Sequence, residues 1–311
     1  MNSALIVGDQ GSGLTTFVGL LYTAQVRLGT ETADKFRFHA DRDTIQQLEA
    51  IYGELGAGRF PERDFDWEQH PLSFALGFRN GGFHPLTGHE EDESGDFGVV
   101  RVQVAGISTQ EMADLREHDA VLGESTRRLL RSQVIIPLVD ATSLPKYSSA
   151  SRSAPLVRYD HQLAATLELL GRFLTADRNR KARKMHLLFV LTKLDRCTPE
   201  SIAEWGGSPG PTALWSTADR QKVGWNILER FLPETGHFIA SSLLRDKNSI
   251  ELPVWYFSGL RTMETGAAPR IVRRSRLPFG GWEPEYPFEE YRALIEHLAL
   301  LGRRLPRALE A

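Results

Sequence analysis

Short apolar runs alternate along this chain with longer stretches in which apolar residues recur at helical spacing. Ala4, Leu5, Ile6 and Val7 make a strand-sized run that enters the turn Gly8-Asp9-Gln10-Gly11-Ser12-Gly13. Phe17, Leu20, Leu21 and Ala24 then follow the period of an amphipathic helix. Residues 36–39 predict a short strand, and residues 41–55 a helix capped by Asp41 or Asp43. After a loop at 56–67, residues 72–78 and 97–104 alternate in polarity and predict an antiparallel strand pair with an elaborated connection. Residues 109–130 have helical period, and Val134 to Val139 form a continuous apolar strand that ends at Asp140. A Ser- and Pro-rich loop at 143–155 leads to a helix at 160–174, a basic connection and a strand at 185–191. The remainder predicts a loop at 198–216, a helix at 219–231, a last strand at 253–257, an irregular insertion at 266–287 and a closing helix at 288–305.

Strands alternating with helices predict an α/β fold, a mostly parallel sheet with helices on both faces. Nothing in the sequence repeats, and no low-complexity linker interrupts it, so residues 1–311 are expected to form one domain with insertions near 40–96, 198–250 and 266–287. A single cysteine, Cys197, excludes a disulfide framework and a Cys-based zinc site. No apolar run approaches the roughly 18 residues of a membrane-spanning helix, and Asp9 interrupts the first one, unlike a signal peptide. The expectation is a cytoplasmic protein with no membrane span.

The formal net charge of −3 hides a division. Residues 1–125 hold 9 Lys+Arg against 21 Asp+Glu, whereas residues 126–311 hold 28 against 19. Only 7 of the 37 basic residues are lysines, which makes the position of each one informative.

Two segments carry candidate chemistry. Gly8-Asp9-Gln10-Gly11-Ser12-Gly13-Leu14-Thr15, followed by Thr16, has the spacing of a phosphate-binding loop, with Leu14 where lysine belongs. Glycines allow successive N–H groups to turn toward a phosphate, and the helix N-terminus adds its dipole. Equally, such a turn can serve only to pack a helix against a sheet. The second segment, Thr192-Lys193-Leu194-Asp195, ends an apolar strand and matches the guanine-reading pattern [NT]-K-x-D. There the aspartate accepts the two N–H groups on the guanine edge and the lysine stem lies along the base. Ser258-Gly259-Leu260 follows the last strand, and Asp140 ends the strand between, where a turn cap is its plain structural role.

In these four landmarks, and in their order, the chain resembles a P-loop GTPase of the translation-factor-related (TRAFAC) class. The segment at 48–78, with Tyr52, Leu55, Gly58, Arg59, Phe60 and Pro61, resembles the prokaryotic double-GTPase families. The resemblance implies a Ras-like P-loop fold, GTP or GDP as ligand with Mg2+, and Thr15 as the magnesium hydroxyl. It also implies that Ser258 and Gly259 back the guanine, and that the protein partners are a second copy or co-encoded GTPase-system proteins.

Three departures weaken the phosphate end. Leu14 removes a charge-assisted contact worth about 1.5–3 kcal/mol, and no lysine precedes Lys35. Gln103-Val104-Ala105-Gly106 stands for the magnesium motif D-x-x-G, with glutamine in place of the acid and Gly106 expected to remain only as a turn. Asp64 stands near the switch threonine. The expectation is therefore a pseudo-GTPase with no assigned catalytic residue, binding guanine nucleotide weakly or not at all and weak in magnesium binding, acting as a scaffold or regulatory subunit. The alternative is an active GTP-hydrolysing switch completed by an arginine of this chain, such as those at 270–276, or by a partner's cation. Nucleic-acid binding is disfavoured because the arginines are interspersed with acids.

The other candidate residues take plainer roles. The nine histidines lack metal-ligand spacing, with His84 and His89 lying in an acidic loop; Trp255, Tyr256 and Phe257 are expected in the strand core, Trp282, Tyr286 and Tyr291 against the closing helix, and Cys197 as a packed thiol.

Overall fold

A computed structural model describes residues 2–9, 11–31, 36–61, 74–78, 102–108, 132–144, 152–175, 184–208, 210–245, 250–265, 268–275 and 281–304. The expected helix at 109–130, Gln10, Asp64 and the histidines at 84 and 89 lie outside them. A seven-stranded sheet forms the centre, in the order β2-β3-β4-β1-β5-β6-β7. Its members are β1 (Asn2–Gly8), β2 (Phe36–Ala40), β3 (Phe74–Phe78), β4 (Val102–Ser108), β5 (Val134–Asp140), β6 (His186–Thr192) and β7 (Val254–Phe257). Neighbours from β4 through β7 run parallel, while β3 pairs antiparallel with both β2 and β4. The fold is thus α/β with a parallel sheet, as the alternation predicts.

The period-2 geometry of a strand divides the apolar residues between two faces. Ala4, Ile6, Ile136, Leu138, Leu188 and Val190 bury one face against α1 (Leu14–Glu31), α2 (Arg42–Gly56) and α7 (Phe288–Arg304). Leu5, Val7, Ile135, Val139, Leu187, Phe189 and Leu191 bury the other against α3 (Ala154–Thr175), α5 (Thr217–Arg230) and α6 (Pro233–Arg245). Continuous apolar runs are the direct consequence of this two-sided burial. Pro137 stands in a central strand opposite Val7 and has no N–H to give; the β5–β6 pairing omits Ile136 and Pro137 and resumes at Leu138↔Val190.

Several boundaries differ from expectation for identifiable reasons. α3 begins at Ala154 rather than near Asp160, because Pro155 is tolerated in a first turn whose N–H groups need no intrahelical partner. Asp160, fully buried, instead accepts N–H bonds from Glu234 (3.1 Å) and Thr235 (2.9 Å) at the start of α6 and pairs with Arg152 at 2.9 Å. Of the two candidate caps for α2, Asp41 serves, accepting from Thr44 N–H at 2.7 Å. The segment expected to be a loop at 198–216 contains the short helix α4 (Pro199–Glu204) and a 3-10 turn at Thr212–Leu214. The expected irregular insertion is two small antiparallel ladders, β8 (Thr262–Thr265) with β9 (Ala268–Ile271) and β10 (Arg273–Ser275) with β11 (Trp282–Pro284). Trp282 is 55% exposed and lies against Arg273 rather than pinning α7; Tyr286 and Tyr291 are buried against each other, their ring centroids 5.5 Å apart. No helix among the described residues is long and apolar enough to cross a membrane.

Candidate functional site

The C-terminal ends of parallel strands are where an open α/β sheet leaves a crevice, since each chain there turns away to a different face. β1 ends at Gly8, level with Ser108 of β4 and Leu138 of β5. Gly8 leaves room for the Ser12 hydroxyl: a Cβ there would lie 2.5 Å from Ser12 Oγ and displace it. Gly11 and Gly13 have φ of +83° and +86°, a region open to glycine at no steric cost. Ser12 N–H donates to Asp9 O at 2.9 Å and Phe17 N–H to Gly13 O at 2.8 Å, which closes the loop and starts α1. The N–H groups of that first turn have no carbonyl one turn earlier to bond, so they form a natural anion-facing end.

Leu14 does not face that end. It is 9% exposed and belongs to the apolar cluster of α1, α2 and α7. Thr15 and Thr16 are half-buried in the same turn. Ser12 is 3% exposed, and its hydroxyl has no hydrogen-bond partner among the described residues.

The base motif is built onto this loop. Thr192, buried at the end of β6, donates its hydroxyl to Ser12 O at 2.7 Å and to Val139 O at 3.2 Å. Lys193 follows with φ of +56°, the only positive φ at a non-glycine among the described residues. Such backbone strain persists only when the surroundings over-determine it. Here they do: the ammonium group donates to Gly11 O and to Asp140 Oδ2 (2.6 Å), and the stem passes 3.8 Å from where a Gly13 Cβ would sit. Asp140 is fixed in turn by Thr142, whose N–H (2.9 Å) and hydroxyl (2.7 Å) both donate to Oδ1. The cap role expected for Asp140 is present together with a second one, holding Lys193.

Asp195 sits in the 3-10 turn Leu194–Arg196 and accepts the Leu260 N–H at 3.0 Å through Oδ1. Gly259 packs closely beside it: a Cβ there would lie 2.7 Å from the same oxygen. The two segments are stitched by Leu194 N–H to Ser258 O (3.1 Å) and Ser258 N–H to Leu191 O (2.8 Å). Partial burial raises the Asp195 carboxyl above its ordinary value, opposed by the Leu260 N–H and by Arg196 and Lys193, while the residue as a whole stays exposed. Ser258 turns inward, its hydroxyl hydrogen-bonded to Tyr291 of α7 at 2.5 Å.

A buried ion pair supports this end of the sheet. Arg220 of α5 grips Glu290 of α7 through two bonds of 2.6 and 2.8 Å. The same pair saturates the open edge of β7, with Arg220 donating to Trp255 O (3.1 Å) and Glu290 accepting from Phe257 N–H (3.2 Å). Cys197, half-buried on the core side of the turn, is a packed thiol near Lys193 O.

The structure therefore brings together Gly8, Asp9, Gly11, Ser12, Gly13, Thr192, Lys193, Asp195, Ser258 and Gly259. It does not bring Gln103 and Gly106 to them. Both lie inside β4, level with Ser3 and Ile6, because that strand runs on to Ser108; the turn expected at Gly106 is strand. The β4 residue level with Gly8 is Ser108, and no group of three His, Cys, Asp or Glu side chains among the described residues is arranged to hold a metal ion. Two of the insertion arginines are engaged elsewhere, Arg273 with Gly56 O (3.2 Å) and Arg274 with Glu283. Within the motif Ser258-Gly259-Leu260 it is the Leu260 backbone N–H that reaches Asp195, and Arg196, which no motif marks, has its guanidinium 5.7 Å from the Phe60 ring centroid. No family model matches the chain, and no curated protein shows significant similarity to it.

Proposed function

We propose that this protein is a pseudo-GTPase of Ras-like P-loop fold, a guanine-nucleotide binder with a degenerate phosphate end that works as a scaffold or regulatory subunit. One observation carries the reading: the Asp195 carboxylate and the Lys193 stem stand together at the mouth of the sheet, with Lys193 laid across the glycine loop. An exposed residue whose carboxylate has one oxygen held by a backbone N–H suits a planar ligand edge that offers paired N–H donors, as guanine does. An adenine edge offers no such pair. Leu14 and the absence of an acid level with Gly8 favour binding without turnover, since phosphoryl transfer relies on cations placed at the transferring group.

Titration calorimetry with GDP, GTP and ATP tests the reading. Guanine nucleotides are expected to bind weakly and ATP not at all. Asp195→Ala should reduce guanine affinity by about a hundredfold or more, by removing two charge-assisted bonds of about 1.5–3 kcal/mol each. Equal binding of ATP would overturn the assignment. Tight magnesium-dependent binding with turnover would instead identify an active switch.

A further inference from the structure

The insertion between β7 and α7 is tied on two sides to groups that flank Asp195. Its ladders meet at three backbone bonds: Arg261 N–H to Glu285 O (3.0 Å), Val272 N–H to Arg261 O (2.8 Å) and Glu285 N–H to Val272 O (2.8 Å). Arg261 directly follows Leu260, whose N–H is held by Asp195. From the other side, Ile271 N–H donates to Gly58 O (3.0 Å) and the Arg273 guanidinium to Gly56 O (3.2 Å), so β9 and β10 clasp the loop that ends α2. That loop is stiff in itself. The Ala57 and Arg59 N–H groups return to Gly53 O and Glu54 O at 2.9 Å each, and Arg59 grips the Glu54 carboxylate through two bonds of 2.7 and 2.9 Å. Ile271 is buried in the core of α1, α2 and α7, which anchors the clasp. Glu283 of β11, also buried, pairs with Arg274 of β10 and with Arg27 of α1 at 3.6 Å.

The clasped loop then returns to the candidate site. Phe60, two residues after Gly58, is half-buried with the Arg196 guanidinium 5.7 Å from its ring centroid, and Arg196 directly follows Asp195. The contacts close a ring that runs from the Asp195 turn through Leu260, Val272 and Gly58 to Phe60 and back to Arg196. Segments linked in this way open as one cooperative unit, because none can move without straining its neighbours. We infer that the β8–β11 insertion is a strap that couples the Asp195 turn to the loop ending α2, so that the two open together and the strap sets how firmly the candidate base site is held. The ligand half of this rests on the guanine reading proposed above; the coupling itself does not.

Hydrogen–deuterium exchange of the full chain, read by mass spectrometry, tests the coupling without any ligand. Arg273→Ala removes an exposed side chain and with it the bond to Gly56 O. Gly58→Ala crowds the clasp from within, since Gly58 has φ of +83° and a Cβ there would lie 3.2 Å from Ile271 O. In each variant, exchange at 56–61 and at 193–198 should quicken together by about three- to tenfold, the effect of one hydrogen bond. Residues 160–174 of α3, on the opposite face of the sheet, should keep the wild-type rate. Quickening at 56–61 alone, or at neither segment, overturns the inference. So does quickening at all three, a general loosening that thermal melting would register as well. Calorimetry with GDP reads the ligand half: Arg273→Ala should weaken GDP binding about three- to tenfold. Unchanged GDP affinity in that variant overturns the inference and leaves the guanine reading standing. Failure of the wild type to bind GDP overturns the guanine reading, and the exchange result alone then decides the coupling.

Discussion

The two ends of the candidate site are built to different standards. At one end, Lys193, Asp195, Ser258, Gly259 and Leu260 interlock through hydrogen bonds, a strained backbone position and a glycine against which Asp195 packs closely. At the phosphate end, the glycine loop keeps its shape, but its side chains are turned to other purposes: Leu14 to the core and Ser12 to the loop interior. The loop is held from the base end, through Thr192 on Ser12 O and Lys193 on Gly11 O. The glycine loop therefore keeps its form without a lysine at position 14, because that form depends on glycine and on partners across the crevice.

Breaking the Arg220–Glu290 pair should give the largest effect. Glu290→Ala leaves a buried guanidinium unpaired and the Phe257 N–H unsatisfied, at a cost of about 3–5 kcal/mol. Chemical denaturation reads that loss, and guanine affinity should fall with it, because β7 leads directly into Ser258 and Gly259. Leu14→Ala separates the ends in the opposite sense. A core cavity at the start of α1 should cost about 2–4 kcal/mol in denaturation while leaving nucleotide affinity within a few-fold of wild type. A selective loss of GTP affinity in that variant would mean that Leu14 faces the ligand after all.

A smaller effect is expected at the join. Asp140→Ala frees the Lys193 ammonium and removes two bonds from Thr142, costing about 1 kcal/mol of stability and letting Lys193 turn toward a ligand phosphate. Affinity for GTP relative to GMP should then rise a few-fold, measurable by the same calorimetry.

The smallest effect is one of pH. The Asp195 carboxyl is raised in the folded chain, so the native state holds that proton to higher pH than the unfolded chain does. Its ionisation lowers stability as pH rises from the ordinary carboxylate value near about 4 through the raised one. The same ionisation creates the guanine acceptor. Guanine affinity should thus decline as pH falls through the raised value, above the range where an ordinary carboxylate titrates, and Asp195→Asn should flatten the profile.

How legible this was from the chain differs from element to element. Val134 to Val139 and Leu187 to Leu191 announce themselves as two-sided strands because burial on both faces demands unbroken apolar residues. Asp41 announces a helix start because a short carboxylate can reach the N–H of Thr44. α6 was not legible: its N-terminus is capped by Asp160 from far along the chain, and no local signal marks it. The end of β4 was not legible either, since Gly106 weakens a strand pattern that its neighbours β1 and β3 sustain.

The sequence by itself determined the alternation of strands and helices, the glycine loop, the Thr192-Lys193-Leu194-Asp195 motif and the loss of a lysine at position 14, because periodicity and side-chain chemistry are local properties. Only the tertiary structure decided that Leu14 faces the core, that Lys193 spans the glycine loop to Asp140, that Gln103 lies away from the site and that Leu260 completes the Asp195 contact. Those are matters of register and of contacts between distant segments. They depend on which backbone groups the sheet brings level with one another, and a sequence does not state that.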